Sequence, residues 1–331
     1  MNFIQQLIEN QPRENIKYIY PGDNDYGYAK MIAALANDKG GRLILGLMDD
    51  GNRIIDKGYS LQKPNKEKIK SYISGFENFE ISEVAFQQNH FVVITVEKEP
   101  NGITFEDKYY MFANQYNNQL SEVRPVKLFI SYNHLVSELA DILETNLHYH
   151  FSFKVEINRD TQLGYRDSIE DFMRSIKQND LIISLISNSY LQSEACMYEI
   201  SELMKDDNYI DRLAYIIIGK DDSKFFPQET QIDNLIPQIY GSERFKYIEY
   251  WTEKHKKYQA QFEKLSGNLS GTTGLHKTIN RVDTILKNVD QFIEILNELK
   301  GQDFSTMQKN QFHDIHQMIS LRFNEINSLS H

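Results

Sequence analysis

From Val126 to about Leu265 the chain alternates short apolar runs with segments of helical periodicity, and this alternation constrains the fold more than any other feature. The runs are "VKLFISY", "FKVEI", "DLIISLIS" and "RLAYIIIG". Between them lie "VSELADILETNL", "DSIEDFMRSIKQ" and "SEACMYEISELM", read as helices. Nearly continuous apolar strands joined through helices predict a parallel sheet covered on both faces, an α/β domain over residues 126–265. Ligands of such sheets sit beyond the carboxyl ends of the strands. Functional residues are therefore expected in "FISY" (129–132), in the Gly-containing polar loop 158–169, in "SNSY" (187–190) and in "SEACMYE" (193–199). Ser193 is a good N-cap for the last of these helices, with Glu194 in its first turn.

The flanking regions read differently. In residues 1–120, Ala29, Ile32, Ala33 and Leu35 fall at helical spacing and Gly40-Gly41 stops that helix. "RLILGLM" reads as a buried strand, and Asp49-Asp50-Gly51 as the turn that follows it. A helix "NKEKIKSYISGF" and the strands "ISEVAFQ" and "HFVVITVEK" complete a small α+β module. The glycine pair is no phosphate loop, because it leaves a helix and enters a strand, the reverse of a Walker turn. The segment "NNQLSEVRP" reads as a linker. Over residues 275–329 the pattern is helical: Ile279, Val282, Leu286, Val289, Ile293 and Leu296 form a seam with spacings of three and four. Gly301-Gln302-Asp303 interrupts it before a second stripe at Phe312, Ile315, Ile319, Phe323 and Ile326. A helical hairpin is expected, packed on its own chain or on another subunit.

Charge narrows the partners. The formal net charge is -11, and no region offsets it: residues 1–120 hold 13 basic against 16 acidic side chains, and residues 121–270 hold 17 against 24. The totals give tight phosphate-backbone binding no electrostatic support. No apolar run is long enough to span a bilayer, and "MNFIQQLIENQPREN" lacks the basic and apolar parts of a signal peptide. A single cysteine builds neither a disulfide framework nor a Cys-rich metal site. A cytoplasmic protein without a metal or a bound cofactor is expected.

Two resemblances sharpen this reading. The "FISY" run, a loop with Asp160, Leu163 and Gly164, and the series Ser187, Tyr190, Ser193, Cys196 and Glu199 together resemble the Toll/interleukin-1 receptor (TIR) domain. "FKYIEYW" (245–251) is similar to the last strand and helix start of bacterial members, and Ala195 stands where many members carry tryptophan. The resemblance implies a flavodoxin-like parallel sheet. It also implies, for enzymatic members, hydrolysis of NAD+ at the nicotinamide–ribose bond with Glu199 as the catalytic carboxylate. Phe129, Ser131, Tyr132, Asp160, Leu163, Gly164, Tyr165, Arg166, Tyr190, Ser193 and Cys196 are then the expected substrate-site residues, with Arg166 a candidate for a pyrophosphate. The resemblance thus implies NAD+ as substrate, not cofactor. Nicotinamide leaves neutral, so one carboxylate suffices to offset the oxocarbenium-like charge, without metal or general acid. Assembly is implied as well, because the loop around 160–168 of one TIR domain can complete a neighbour's pocket.

Ala34 and the stretch 37–51, with "KYYMFANQ" (108–115), resemble the Schlafen AlbA-like domain. Some members of that family bind nucleic acid and some cut it, the nucleases using carboxylates near the first strand, where Glu14 aligns. Here "ENIKYIYPG" lacks the usual Phe-Lys pair, and the module is acidic. These features favour a sensing or assembly module, with a nucleic-acid or phage-derived trigger, over a nuclease. The resulting expectation is an assembly-activated NAD+ nucleosidase in bacterial antiviral defence, releasing ADP-ribose or a cyclic form. It assembles through the TIR domain and C-terminal helices and engages no membrane. A non-catalytic TIR adaptor is the competing reading.

Overall fold

The computed structural model describes residues 2–114, 117–159, 176–265, 272–298 and 301–329. Two compact units emerge. One holds the chain up to Pro125, with Ser152–Lys154 and the segment from Leu321 onward. The other holds Val126–Phe151 and Val155–Ser320.

The first unit begins with α1 (Phe3–Asn10), β1 (Ile16–Ile19), α2 (Asp25–Ala36), β2 (Gly41–Leu45), β3 (Leu47–Asp49) and β4 (Ile54–Asp56). It continues with α3 (Lys66–Tyr72), β5 (Phe79–Phe86), β6 (Asn89–Val96), β7 (Thr104–Phe105), β8 (Lys108–Phe112) and β9 (Leu120–Val123). Its main sheet has the order β1-β2-β6-β5, with β1 and β2 parallel and the other pairs antiparallel. The run "RLILGLM" is not one strand. It breaks at Gly46, where φ is +99°, and β2 and β3 join different sheets. A Cβ at Gly46 would stand 2.8 Å from the backbone of Gly58 and Tyr59, so only glycine permits this close approach. Apolar periodicity carries no trace of such a break. The expected linker likewise holds β9, which pairs antiparallel with β8. Asn37, just past α2, explains its motif: its buried amide donates to the oxygens of Ile103 and Tyr110 at 3.0 Å and accepts from Ile103 N at 2.6 Å. One side chain thus satisfies three main-chain groups of the β7–β8 region.

The second unit contains β10 (Val126–Tyr132), α4 (Ser137–Phe151), β11 (Val155–Asn158), β12 (Leu181–Ile186), α5 (Asn188–Gln192), α6 (Glu194–Leu203) and β13 (Leu213–Ile217). There follow α7 (Phe245–Leu265), α8 (Thr272–Glu298), α9 (Phe304–Lys309) and α10 (His313–Asn327). The strands are all parallel in the order β11-β10-β12-β13, the second-first-third-fourth order of a flavodoxin-like sheet. Every residue of β12 is buried, as a central strand covered on both faces requires.

"SNSY" opens α5, with Ser187 accepting from Tyr190 N at 3.0 Å as its N-cap. One expectation changes here. "FKYIEYW" holds no strand and is helical from Phe245, because its fully buried residues Tyr247 and Trp251 are spaced by one helical turn. Of the two coverings expected for the seam of α8, the structure shows its own chain: Val282, Val289, Ile293 and Leu296 lie in this unit's core beside Met197 of α6 and Trp251 of α7. Among the described residues no helix is long and apolar enough to cross a membrane.

The free edge of β13 is closed by the chain that follows α8. Ile217 N donates to Gln302 O at 3.0 Å, and Ile217 bridges Asp303 in parallel register. Gly301 is required for the approach, since a Cβ there would meet the Tyr215 ring at 2.5 Å. The segment is pinned by Asp222, which is fully buried. Its carboxylate accepts from Gly219 N (2.8 Å), Phe304 N (3.3 Å), Ser305 N (2.7 Å) and Ser305 Oγ (2.7 Å). The interruption "GQD" is thus a sheet edge and a helix cap together.

His316 of α10 lies against α4 within this unit. Its Nε2 is 2.8 Å from Asn146 Oδ1, and its ring centre is 4.4 Å from that of His150. Burial, followed by the nearby charges of His150 and His313, pulls its pKa down from 6.5 to about 4. The folded chain then takes up this proton less readily than the unfolded chain. This contribution to stability is complete above about pH 6.5 and declines as pH falls towards 4. With a discount for the solvent that still reaches this half-buried ring, thermal melts across that range should lose about 1–2 kcal/mol more in wild type than in His316→Phe. Parallel curves for the two proteins would contradict the assignment.

Candidate active site

Ser193 ends α5 in an extended conformation (φ -82°, ψ 126°) and caps α6, accepting from Cys196 N at 3.4 Å. This double role aims α6 so that Cys196, Met197, Glu199 and Ile200 turn inward. Trp251 of α7 supports the corner by donating its indole N–H to Leu191 O at 2.9 Å. Lys254 and Tyr258 hold Glu194 at 3.0 and 2.6 Å, so α7 braces the start of α6 as well.

Glu199 reaches the carboxyl end of the two central strands. Its side chain is 1% exposed, and Oε2 accepts from Ser131 Oγ of β10 at 2.7 Å. The Tyr190 hydroxyl lies 2.8 Å from Ser131 Oγ and 3.3 Å from Ser184 Oγ of β12. Ser131 and Ser184 are register partners across β10 and β12, which is why one phenol reaches both. Ser131 has one proton and gives it to Glu199, so the single Tyr190 proton is shared between the oxygens of Ser131 and Ser184. Burial, with Cys196 and Glu199 close by, pushes the Tyr190 phenol well above its ordinary pKa, and it stays a neutral donor. The result is a polar chain inside an apolar core, running from strand to helix and ending on a carboxyl group.

The expected residues separate into groups. Ser131, Tyr190 and Glu199 are joined by hydrogen bonds. Cys196 is buried beside them, its Sγ 3.5 Å from Tyr132 O. Tyr132 is buried, with the Arg159 guanidinium 5.5 Å from its ring centre. Phe129 is a core residue of the same unit, and Ser193 acts as a cap. Asp160, Leu163, Gly164, Tyr165 and Arg166 lie outside the described residues. Two further residues escaped the sequence reading. Ser184 is a lone hydroxyl in the fully buried strand "LIISLI", a signal that was there to be read. Arg159 pairs with Asp141 (2.7 Å) and Glu144 (3.0 Å) of α4, and its placement over Tyr132 depends on tertiary structure. In the first unit Glu14 is exposed, while the Asp49 carboxylate is gripped by Arg13 at 2.7 and 3.0 Å. That ion pair holds Asp49 below the usual carboxylate range.

Comparison with known proteins agrees with this architecture. The family described as "Schlafen, AlbA_2" matches residues 9–122, and the TIR domain family matches residues 128–266. No curated protein matches the chain. Among solved structures, the DIP2311 protein of Corynebacterium diphtheriae is 15% identical over 50% of this chain, with a TM-score of 0.26, an overlap too small to define a shared fold. The chain covers 32% of that protein's length. With its mixed sheet, its four-stranded parallel sheet and both family matches in place, the chain is a Schlafen AlbA-like domain followed by a TIR domain.

Proposed function

We propose that the TIR domain cleaves NAD+ at its nicotinamide–ribose bond, with Glu199 as the catalytic carboxylate. The observation that carries this reading is the position of Glu199 at the carboxyl end of the central strands, held by Ser131 at 2.7 Å. A carboxylate fixed there faces no reorganisation cost when positive charge develops on the ribose. Ser131 and Tyr190 orient it, and Cys196 packs beside it. The departing nicotinamide is neutral, so water adds to the ribose carbon without a general acid.

Glu199 is also sealed from solvent, and substrate must touch it for turnover. Activity therefore requires an opening of the site, which we assign to self-association of TIR domains through the 160–168 loop. The N-terminal domain acts as the sensor of a trigger in antiviral defence. Chromatographic measurement of NAD+ loss per subunit should rise steeply with protein concentration. A rate per subunit that is constant over a wide concentration range would refute the assembly requirement. No loss at any concentration, with or without macromolecular crowding, would count against the activity itself.

The burial of Glu199 also supports a second reading, a TIR scaffold in which the Ser131–Tyr190–Glu199 chain only locks α6 to the sheet. That reading expects Glu199 substitutions to act on stability alone.

A further inference from the structure

Lys17, in the middle of β1, is 5% exposed. Its ammonium donates to the main-chain oxygens of Asn114 at 2.9 Å and Asn117 at 2.8 Å, and lies 4.4 Å from the centre of the Phe112 ring. These partners use two of its three N–H groups and supply no negative charge. Among the described residues no carboxylate comes within 4.0 Å of it. A buried cation without an anion is costly, and here burial pulls the Lys17 pKa down to about 8, with only Asp38 opposing that fall.

Lys17 lines a cavity of about 360 Å³ together with Asn114, an acceptor of its ammonium, and a second of about 160 Å³ adjoins it along Lys17 and Arg13. Lys39 adds positive charge to the larger cavity, the charge of Arg13 being already paired with Asp49, while Leu35 and Met111 give it an apolar wall. Glu14 and Asp38 in the same lining oppose a polyanion. A volume of this order accommodates one small molecule.

We propose that this cavity of the N-terminal domain binds a small phosphate monoester of up to mononucleotide size, its phosphate supplying the counter-charge of Lys17. Leu35 and Met111 take the less polar part of the ligand. The two acidic groups select a single phosphate over a nucleic-acid backbone. This inference is independent of NAD+ cleavage, and its test reads binding alone.

Isothermal titration of the full chain with AMP, and separately with inorganic phosphate, tests it. AMP is expected to bind one site per chain and raise the melting temperature. Lys17→Met is expected to weaken binding by about 10- to 100-fold, the worth of a hydrogen bond to a charged group. Asp38→Asn removes an opposing charge and is expected to tighten it, which keeps the test decisive if Lys17→Met does not fold. Absence of both heat and melting shift with either probe at millimolar concentration would overturn the proposal. Unchanged AMP affinity in folded Lys17→Met, or in Asp38→Asn, would do the same.

Discussion

Glu199→Gln is expected to lower NAD+ consumption at least about a hundredfold while leaving the chain folded, because the substitution removes charge and keeps shape. The glutamine side-chain oxygen still accepts from Ser131 Oγ, so the polar chain to Tyr190 survives. What disappears is the negative charge that would oppose the oxocarbenium-like state. Assays at a protein concentration where wild type turns over, paired with thermal melts, separate the readings. Loss of activity at an unchanged melting temperature supports catalysis. Equal NAD+ consumption by the two proteins would refute the role of Glu199. A clear drop in melting temperature, with neither protein consuming NAD+, would favour the scaffold.

The largest stability effect is expected at Asp222. Asp222→Ala leaves three backbone N–H groups without their acceptor inside the protein, while the Ser305 hydroxyl keeps Asp221 O at 2.8 Å. An orphaned buried donor costs about 1–3 kcal/mol, and partial rescue by water limits the sum to about 3–5 kcal/mol. For a unit of this size that corresponds to a fall in melting temperature of about 6–20 °C. Because Asp222 fastens the start of α9, the loss should appear first as hydrogen exchange at Phe304 and Ser305. A change under about 1 kcal/mol would show that the segment closing β13 is held by other contacts.

Much of the architecture was legible before any coordinate. The parallel sheet followed from apolar runs alternating with helical patterns, and each of its strands coincides with one such run. The α+β character of the first domain and the Asp49-Asp50-Gly51 turn were readable for the same reason, since periodicity and turn chemistry are local. The break at Gly46 was not, because a glycine inside an apolar run looks like a strand until its neighbours are known. Nor was the placement of the α8 seam. Spacings of three and four announce an apolar face without naming what covers it, and here that cover is the core around Met197 and Trp251.

Within the candidate site the division is similar. The sequence by itself determined which side chains could matter: a carboxylate on a helix, hydroxyls on apolar strands and a cap at Ser193. Only the tertiary structure decided that Ser131, Ser184 and Tyr190 converge, and that Glu199 is held by Ser131 out of solvent. The same holds for Lys17, which in sequence is one polar residue among "IKYI" and in the fold is a buried cation beside a cavity. Residue identity and spacing are properties of the local chain. Burial, register across strands and the absence of a counter-charge arise from distant segments meeting, and no local pattern encodes them.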